Sequence, residues 1–346
     1  MSTTQILGIS LVALAGLLIG AAVWPMKLMR KFQFEHWWFV GMLFALVILP
    51  WSVTLLFCPN ALGAFAKVPA STLITANLWA AGWGVANVLC GLCFVRIGIA
   101  LTGAILTGLG VSLGVTLPMI VKGSGHFKDA PGLASPAGIT VLAGVGVMLV
   151  GVVFATFAGF GRDRVLRNQQ KTSGSFAAGL VMTVIAGVLS CGLGLAFVYG
   201  QGPVMAAVKT EGAGDIPATF AVWAACIMAG ALINLVYPLY LMARNRSFGV
   251  LAQSWRELAL AAVIGVNMAA GIVVMGTGMR WLGVLGASVG LGIQQASQML
   301  GSQALGFLSG EWRGVAGRPR NLMYVAIALL ILAGLVMASG NTMAKS

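Results

Sequence analysis

The chain has 346 residues, of which 59% are hydrophobic and only 8% charged, and its formal net charge is +13. Soluble domains carry about 25% charged residues, so this composition excludes an ordinary soluble fold and indicates an integral membrane protein. The apolar runs are long and do not alternate, which favours membrane helices over a β-barrel. The basic residues are spread over short loops, so the positive charge does not indicate nucleic-acid binding.

Each membrane-spanning helix needs about 20 mostly apolar residues. In chain order the sequence predicts ten such spans, at residues 5–25, 37–57, 72–94, 98–121, 137–159, 175–199, 218–242, 257–278, 283–308 and 321–340. No basic region and no convincing cleavage site accompany the first one, so Ile6–Val23 is predicted to be a retained helix rather than a signal peptide. The predicted fold is an all-α integral membrane protein.

The loops between these spans differ in charge. Fourteen of the 20 Lys and Arg residues lie in odd-numbered loops, and six lie in even-numbered loops and the C-terminal tail. Because cytoplasmic loops carry an excess of basic residues, both termini are predicted to be periplasmic. Tryptophans near predicted span ends are expected to form an aromatic belt at the membrane interfaces. They are Trp37, Trp38, Trp51, Trp255, Trp281 and Trp312.

The most basic loop, Gly161–Gly174, lies near the midpoint and leaves five predicted spans on each side. Since five is odd, two similar halves would have opposite orientations in the membrane, as in many secondary transporters. A weak internal echo agrees, because Asn-x-x-x-Gly occurs at Asn87 in span three and at Asn267 in span eight. The sequence therefore predicts two inverted five-helix repeats, residues 1–172 and 173–346, which together form one transmembrane domain.

The chemistry of the chain argues against an enzyme. Its acidic residues and histidines lie in loops or at span ends, and no Ser/His/Asp cluster, metal-ligand set or P-loop is visible. Cys90 and Cys93 form a CxxC inside an apolar helix, which favours packing over metal or redox chemistry. Glu311 and Arg313 are expected to pair structurally at the end of span nine. No cofactor or metal is predicted.

Predicted span nine carries a stripe of neutral polar side chains. At roughly 100° per residue, Gln294, Gln298 and Ser302 share one helix face, with Gln295 on its flank. Such groups are costly in lipid and must face the bundle interior. Amides donate and accept hydrogen bonds, so we interpret the stripe as the lining of a site for a hydroxyl-rich ligand. The alternative is hydrogen bonding between helices. Asn234 in span seven is a further interior candidate.

Predicted span three supplies a second candidate wall. Trp79, Trp83 and Asn87 are four residues apart and share a helix face, where the rings could stack on a sugar and the amide could bond its hydroxyls. An aromatic packing stripe is the alternative. Asn267, the repeat counterpart of Asn87, completes this predicted substrate-binding set together with Lys27 at the end of span one. For Lys27, snorkelling to the interface is the alternative.

Four short motifs occur in order along the chain. They are WPMK at Trp24–Lys27, ILPW at Ile48–Trp51, WGVAN…GL…RIG over Trp83–Gly98, and EW…GRP from Glu311–Trp312 to Gly317–Pro319. In their order and spacing, over nearly the whole length, the sequence resembles the L-rhamnose–proton symporter family within the drug/metabolite transporter superfamily. The resemblance implies a ten-helix inverted-repeat fold, periplasmic termini, a bacterial inner membrane and sugar uptake driven by an ion gradient.

The sequence leaves the coupling ion open. Family members carry an acidic residue early in span nine, whereas the matching stretch Gly286–Leu291 reads GASVGL. A proton-coupled carrier usually needs an ionisable group within the membrane, and no predicted span has a carboxylate or histidine in its middle. Coupling to H⁺, coupling to Na⁺ and uncoupled transport are therefore the alternatives.

Together these observations predict a secondary transporter that imports a small sugar, L-rhamnose or a related deoxy-sugar, by alternating access. Its partners would be the sugar and the lipid bilayer, and its site would lie near the bilayer midplane between the two halves. One alternative is an exporter of small amphiphilic solutes, with a wider and more apolar cavity. Another is a non-transporting scaffold or enzyme subunit, in which neighbouring helices would satisfy the polar stripe and leave no cavity.

Overall fold

A computed structural model describes residues 3–120, 132–167, 176–282 and 288–343, and within these ranges it contains helices and turns but no β-strand. The helices of the first half are α1 Thr3–Ala21, α2 Phe34–Met42, α3 Leu49–Phe57, α4 Ala61–Lys67, α5 Ala70–Arg96, α6 Ile99–Ile120 and α7 Pro136–Arg167. Those of the second half are α8 Phe176–Leu189, α9 Cys191–Thr210, α10 Asp215–Cys226, α11 Met228–Asn245, α12 Trp255–Leu282, α13 Ser288–Leu308 and α14 Arg318–Met343.

Many of these helices are long and apolar enough to cross a membrane. Within the described residues there are seven candidate spans, and an eighth if α10 and α11, which are bent by 63° at their junction, form one span. The seven are Thr3–Leu28, Phe34–Phe57, Ala70–Arg96, Pro136–Arg162, Ala177–Thr210, Trp255–Met279 and Arg318–Met337. The all-helical part of the fold prediction is confirmed, whereas the count of ten spans and the inverted repeat stay predictions.

Predicted spans four and nine coincide with α6 and α13, which are not among these seven. The glutamines of α13 lower its hydropathy, and α6 contributes a shorter apolar stretch, Leu101–Gly110. Predicted spans six and seven each coincide with two consecutive helices, which meet at Ser190 and at Ile227. Helix junctions of this kind expose backbone groups, which is tolerated inside a membrane only where protein or a cavity surrounds them.

The second candidate span is irregular near its middle. A six-residue π-helical segment, Leu43–Ile48, joins α2 to α3, and Pro50 follows it. Proline removes a backbone donor and its ring crowds the preceding turn, which accounts for the change in helix geometry. Met42, the last residue of α2, lies directly before the segment and lines the central cavity described below.

The helices pack around two apolar clusters. One joins α2, α4, α5 and α9–α12, and the other joins α6, α7, α13 and α14. Glycines allow the closest approaches, as expected for membrane helices. A Cβ added to Gly84 of α5 would lie 2.7 Å from the Cα of Gly230 in α11. This contact brings the two helices together one turn away from Asn87 and Asn234.

The aromatic-belt prediction is wrong for three of its tryptophans. Trp37, Trp38 and Trp312 are only 3%, 2% and 4% exposed, so they are core residues. By contrast, Trp255 is 81% exposed and Trp281 41%, as an interfacial residue would be. A position near the end of a span therefore does not predict whether a side chain is buried in the bundle or exposed, because residues on both faces of a helix occur at that depth.

Candidate functional site

A cavity of 220 Å³ lies within the helix bundle. It is lined from α1, α2, α5, α6, α9, α10, α12 and α13, and its polar lining residues are Asn87, Ser190, Gln201, Thr219, Gln294, Gln295, Gln298 and Ser302. None of the described lining residues is an Asp, Glu, His, Lys or Arg. A cavity smaller than the roughly 300–1,000 Å³ of drug-sized sites and lined by neutral amides suits a small uncharged solute. Its presence also disfavours the scaffold alternative.

The predicted glutamine stripe lies on this cavity. Gln294 and Ser302 are 5% and 3% exposed, and the Nε2 of Gln294 donates to the Oε1 of Gln298 at 2.8 Å. The Ser302 hydroxyl lies 3.0 Å from the backbone oxygen of Gln298 and 3.2 Å from that of Gly20. Gln295 also lines the cavity. The four polar residues predicted on span nine are thus brought together, partly satisfied by each other.

Helix α1 holds this stripe in place through two glycines. A Cβ added to Gly16 would lie 2.2 Å from the backbone oxygen of Gln294, and one added to Gly20 would lie 2.1 Å from that of Gln298. Real Cβ atoms do not approach a backbone that closely, so any side chain at these positions would push α13 away. The two glycines therefore allow α13 to pack close to α1, and this packing determines how far the glutamine side chains extend into the cavity.

Aromatic rings form another part of the lining. Trp83 lines the cavity and meets Trp223 edge-on with ring centroids 6.3 Å apart, and Phe197 meets Trp223 at 5.4 Å. Trp38 lies on the lining as well. The structure places Trp79 outside the lining, and its side chain is 42% exposed. Residues four apart on a helix differ in direction by about 40°, and this difference adds up over the two steps from Trp79 to Asn87. Trp79 therefore does not lie on the helix face that Asn87 occupies.

Asn87 enters the cavity from a hydrogen-bonded network. Its Nδ2 donates to the Oδ1 of Asn234 at 2.9 Å, and the indole Nε1 of Trp38 donates to the same oxygen at 3.1 Å. Asn234 is fully buried, and its own Nδ2 donates to the backbone oxygen of Gly230 at 2.9 Å. The sequence singled out Asn234 as an interior residue, but only the structure shows that it joins two lining residues.

The comparison with known proteins decides the family. A model of the L-rhamnose-proton symport protein (RhaT) family matches residues 1–340. The chain belongs to this family. The resemblance inferred from the four motifs is thereby confirmed, and the family is one of transport proteins rather than enzymes.

Individual relatives carry the same description. An L-rhamnose-proton symporter of Yersinia pestis bv. Antiqua (strain Antiqua) is 28% identical over 228 residues, which are 66% of this chain and 65% of the relative. One from Pectobacterium atrosepticum is 24% identical over 333 residues, 91% of this chain and 92% of the relative. The chain thus spans just under two thirds of the length of the Yersinia relative it matches, and nearly all of the Pectobacterium one.

Three of the four motifs that carry the symporter-family resemblance contribute to the cavity or to an ion pair of the structure. Trp83 and Asn87, from the WGVAN motif, line the cavity. Lys27, from the WPMK motif, lies outside the lining and donates to the Oε1 of Glu311 at 3.0 Å, which belongs to the EW motif. Motifs nearly the whole chain length apart are therefore joined by one ion pair.

This ion pair belongs to a larger charged cluster, in which the side chains of Arg162 and Glu311 are 7% and 9% exposed and that of Lys27 is 34% exposed. The Oε2 of Glu311 lies 3.5 Å from the Nη1 of Arg162, whose guanidinium lies over the Trp312 ring at 5.4 Å and donates to the backbone oxygen of Ile97. Glu311 thus pairs with Lys27 and Arg162, while the expected pairing with Arg313 stays a prediction. We call this group the Glu311 cluster, meaning Lys27, Arg162 and Glu311.

We call the end of the bundle that contains this cluster the basic end. There the carboxylate of Glu257 accepts backbone N–H groups of Arg30, Lys31 and Phe32 at 3.0, 3.0 and 2.6 Å, which ties the loop after α1 to α12. His36 lies 3.1 Å from the Ser247 hydroxyl in the same region. Loops from both halves of the chain are therefore joined across the basic end.

The opposite end has a different link. Glu211, after α9, accepts hydrogen bonds from Lys67 of α4 and, at 3.2 Å, from Asn60. The Lys67 hydrogen bond, followed by that of Asn60, lowers the pKa of Glu211 below its ordinary value of 4.5. Lys209 pairs with Asp215 nearby at 2.6 Å. Each end of the bundle thus carries its own charged link between the two halves.

Several functional positions were missed or misplaced from the sequence. Asn267 is half-buried and off the lining, which its neighbour Met268 joins instead. Trp223, Gln201 and Thr219 line the cavity but were not singled out. Gln201 was detectable, because a glutamine amid apolar residues of a membrane helix is costly in the same way as the glutamines of α13. It fell just beyond the predicted end of span six.

Proposed function

We propose that the chain is a sugar transporter of the inner membrane of a bacterium, and that it carries L-rhamnose or a related deoxy-sugar through the central cavity. The observation that carries the proposal is the lining, which combines the amides of Gln294, Gln298 and Asn87 with the rings of Trp83 and Trp38. Amides bond sugar hydroxyls and aromatic faces contact C–H groups. A neutral lining needs no charged substrate, and a monosaccharide is uncharged.

The remaining lining suits the deoxy position. Five methionines lie on the cavity, namely Met42, Met205, Met268, Met275 and Met279. Their flexible thioethers adapt to small apolar groups, so a sugar methyl would find an apolar contact where a hydroxymethyl would lose hydrogen bonds to water. The same methionines favour a second candidate function, the export of a small amphiphilic solute, which is therefore included in the test below.

The proposed fold consists of two five-helix repeats, residues 1–172 and 173–346. Helix packing supports it, because contacts recur after a shift of five predicted spans. Span one, α1, packs on α12 and α13 of spans eight and nine, and span six, α8 with α9, packs on α5 and α6 of spans three and four. Likewise α6 packs on α7 as α13 packs on α14. The cavity lies where these equivalent contacts meet, as in inverted-repeat carriers.

The two charged links suggest how access alternates. We propose that the Glu311 cluster closes the basic end and that the Lys67–Glu211 link closes the other end, so that rocking of the repeats breaks one while the other holds. The excess of basic residues assigns the basic end to the cytoplasm and both termini to the periplasm. A buried ion pair that loses one partner is strongly disfavoured, which makes the Glu311 cluster a two-state element.

The coupling ion proposed is the proton, in keeping with the family. Since no described lining residue is a carboxylate or histidine, we assign the proton to Glu311, whose carboxylate is 9% exposed and faces Lys27 and Arg162. Opening of the basic end would separate this carboxylate from its cations, so the Glu311 cluster is the element whose contacts change when access alternates.

Uptake into proteoliposomes tests the function. Labelled L-rhamnose should accumulate when an inward proton gradient is imposed, and Glu311→Gln should abolish this stimulation while retaining exchange of internal for external sugar. Glu35→Gln is unsuitable as a control because that residue is buried, whereas Asp215→Asn, at the opposite end and more than half exposed, is suitable. Stimulation by Na⁺ alone, or uptake that ignores both gradients, would refute the proton assignment. Absence of rhamnose transport together with transport of a small amphiphilic solute would favour the exporter.

A further inference from the structure

The side-chain amide of Asn87, which lines the central cavity, has an orientation that its neighbours determine. Asparagine oxygen and nitrogen atoms have similar shapes, so their positions follow from hydrogen-bond partners whose roles are fixed. An indole N–H can only donate, and a backbone oxygen can only accept. Asn234 meets one group of each kind, and it thereby transmits a fixed orientation to Asn87.

The chain of constraints begins at Asn234. Its Oδ1 must face the donor Nε1 of Trp38, at 3.1 Å, and its Nδ2 must face the backbone oxygens of Gly230 and Gly84, at 2.9 and 3.5 Å. Both requirements give the same rotamer, and the side chain is fully buried, so water cannot replace either partner. The Asn234 oxygen is therefore held as an acceptor.

Asn87 must adapt to this acceptor. Its Nδ2 donates to the Asn234 oxygen at 2.9 Å and lies 3.5 Å from the sulfur of Met42, so both of its N–H groups are directed at protein. What Asn87 offers to the cavity is then its carbonyl oxygen. The Gln294–Gln298 pair differs, because exchanging oxygen and nitrogen in both side chains would preserve its mutual hydrogen bond.

We infer that Asn234 is a positioning residue that makes Asn87 an obligate hydrogen-bond acceptor, and that Asn87 Oδ1 selects ligands with a hydroxyl donor at that point. This inference rests on the proposed function and deepens it, since it specifies that the sugar hydroxyl at this point must donate a hydrogen bond. A ligand group that only accepts hydrogen bonds, such as fluorine or an ether oxygen, would meet the Asn87 oxygen without a proton between them. The site would reject that ligand although its shape is the same.

Fluorinated sugars test this selection. Fluorine replaces a hydroxyl with little change of size but cannot donate, so L-rhamnose and its monofluoro-deoxy analogues, with fluorine at each hydroxyl in turn, form a matched panel. Binding to purified protein is measured by calorimetry. We expect one position at which fluorination weakens binding about tenfold, the effect of leaving a buried acceptor unpaired. In Asn87→Leu that penalty should fall below about twofold, while the penalties at other positions persist.

The positioning role needs its own variants. In Asn234→Leu the Asn87 amide is free to turn, so the same fluorine penalty should fall to about twofold even though Asn87 is present. Trp38→Phe removes the indole donor but leaves Asn234 bonded to Gly230, and it should retain the penalty. Asn267→Leu, a half-buried amide off the lining, is the matched control. Should Asn234→Leu fail to fold, Asn234→Ser, which keeps a smaller polar group, replaces it.

The possible outcomes separate the inference from the function on which it rests. Rhamnose binding with equal fluorine penalties in wild type and Asn87→Leu would overturn the acceptor role and leave the sugar site intact. A full penalty in folded Asn234→Leu would overturn the positioning role alone. Failure of wild type to bind rhamnose and every analogue would overturn the proposed function together with this inference.

Discussion

Two tryptophans on one helix have different surroundings. Trp83 is 8% exposed, lines the cavity and contacts Trp223, whereas Trp79, four residues earlier, is 42% exposed. The spacing alone placed both on the substrate face. A helix turns by roughly 100° per residue, so side chains spaced four residues apart point in progressively different directions over two turns. The neighbouring helices determine which of these side chains are buried.

This pair gives a prediction with an internal control. Trp83→Leu should weaken L-rhamnose binding about tenfold, because an aromatic contact of about 1 kcal/mol and its support from Trp223 are lost. Trp79→Leu should change binding less than about twofold. Calorimetric titration of both variants, after thermal unfolding has shown that each is folded, makes the comparison. Equal weakening by both changes would contradict the assignment of the cavity.

At the scale of elements, the packing of α1 on α13 controls the glutamine stripe. Gly20 allows α13 to approach so closely that an added Cβ would lie 2.1 Å from a backbone oxygen. The sequence has 48 glycines, which is typical of closely packed membrane helices. It did not indicate which of them face α13, since the partner of a helix depends on the complete bundle.

Gly20→Val is therefore expected to displace the glutamines. Overpacking of this kind costs about 1–3 kcal/mol of stability, and sugar binding should fall by more than Trp83→Leu causes, because Gln294, Gln298 and Ser302 move together. Gly82→Ala is the control, since nothing lies within 4 Å of a Cβ there, and alanine is favoured over glycine in a helix. Thermal unfolding and calorimetry on both variants test this, and unchanged binding in Gly20→Val would refute it.

The link between α4 and the loop after α9 should depend on pH. A carboxyl whose folded pKa is lowered, as for Glu211, stabilises the folded state above its unfolded pKa. That contribution is lost as the pH falls from 4.5 through the lowered folded pKa. Glu211→Gln should therefore lower the unfolding temperature slightly at neutral pH, because exposed pairs contribute little, and should match wild type in strong acid.

Unfolding temperatures of wild type and Glu211→Gln, measured from pH 7 down to about pH 3, are the direct measurement. Lys67→Gln serves as the reciprocal variant, because it removes the hydrogen bond that contributes most to the lowered pKa of Glu211 while leaving the carboxyl. The difference in unfolding temperature between Lys67→Gln and wild type should likewise become smaller as the pH falls. A difference between Glu211→Gln and wild type that is constant over this range would show that the link has no electrostatic part.

At the scale of the whole molecule, the orientation of the bundle follows from charge. The basic end is expected in the cytoplasm. A cysteine at Gly249, in the 3₁₀ segment Phe248–Ala252, should react with a membrane-impermeant thiol reagent only in permeabilised cells, and one at Ala66 of α4 should react in intact cells. Both positions are exposed, whereas four of the five native cysteines are buried.

Wild type supplies the background labelling, with Cys191, which is partly exposed, replaced by serine if it reacts. The reverse pattern, with Gly249→Cys labelled in intact cells and Ala66→Cys protected, would contradict the proposed orientation. Labelling of both positions in intact cells would contradict the placement of the two sites on opposite membrane faces. Either result would leave the cavity and its lining unchanged, because orientation does not alter contacts within the bundle.

The sequence by itself determined the class of the protein, its family and the polar face of α13. These depend on composition, on motifs and on the period of one helix, which are properties of neighbouring residues. Only the tertiary structure decided that Trp38 belongs to the cavity, that Lys27 meets Glu311 across 284 positions, and that Asn234 orients Asn87. A membrane helix can turn its polar groups toward several neighbours at equal cost in lipid, so the packing of the complete bundle selects among them.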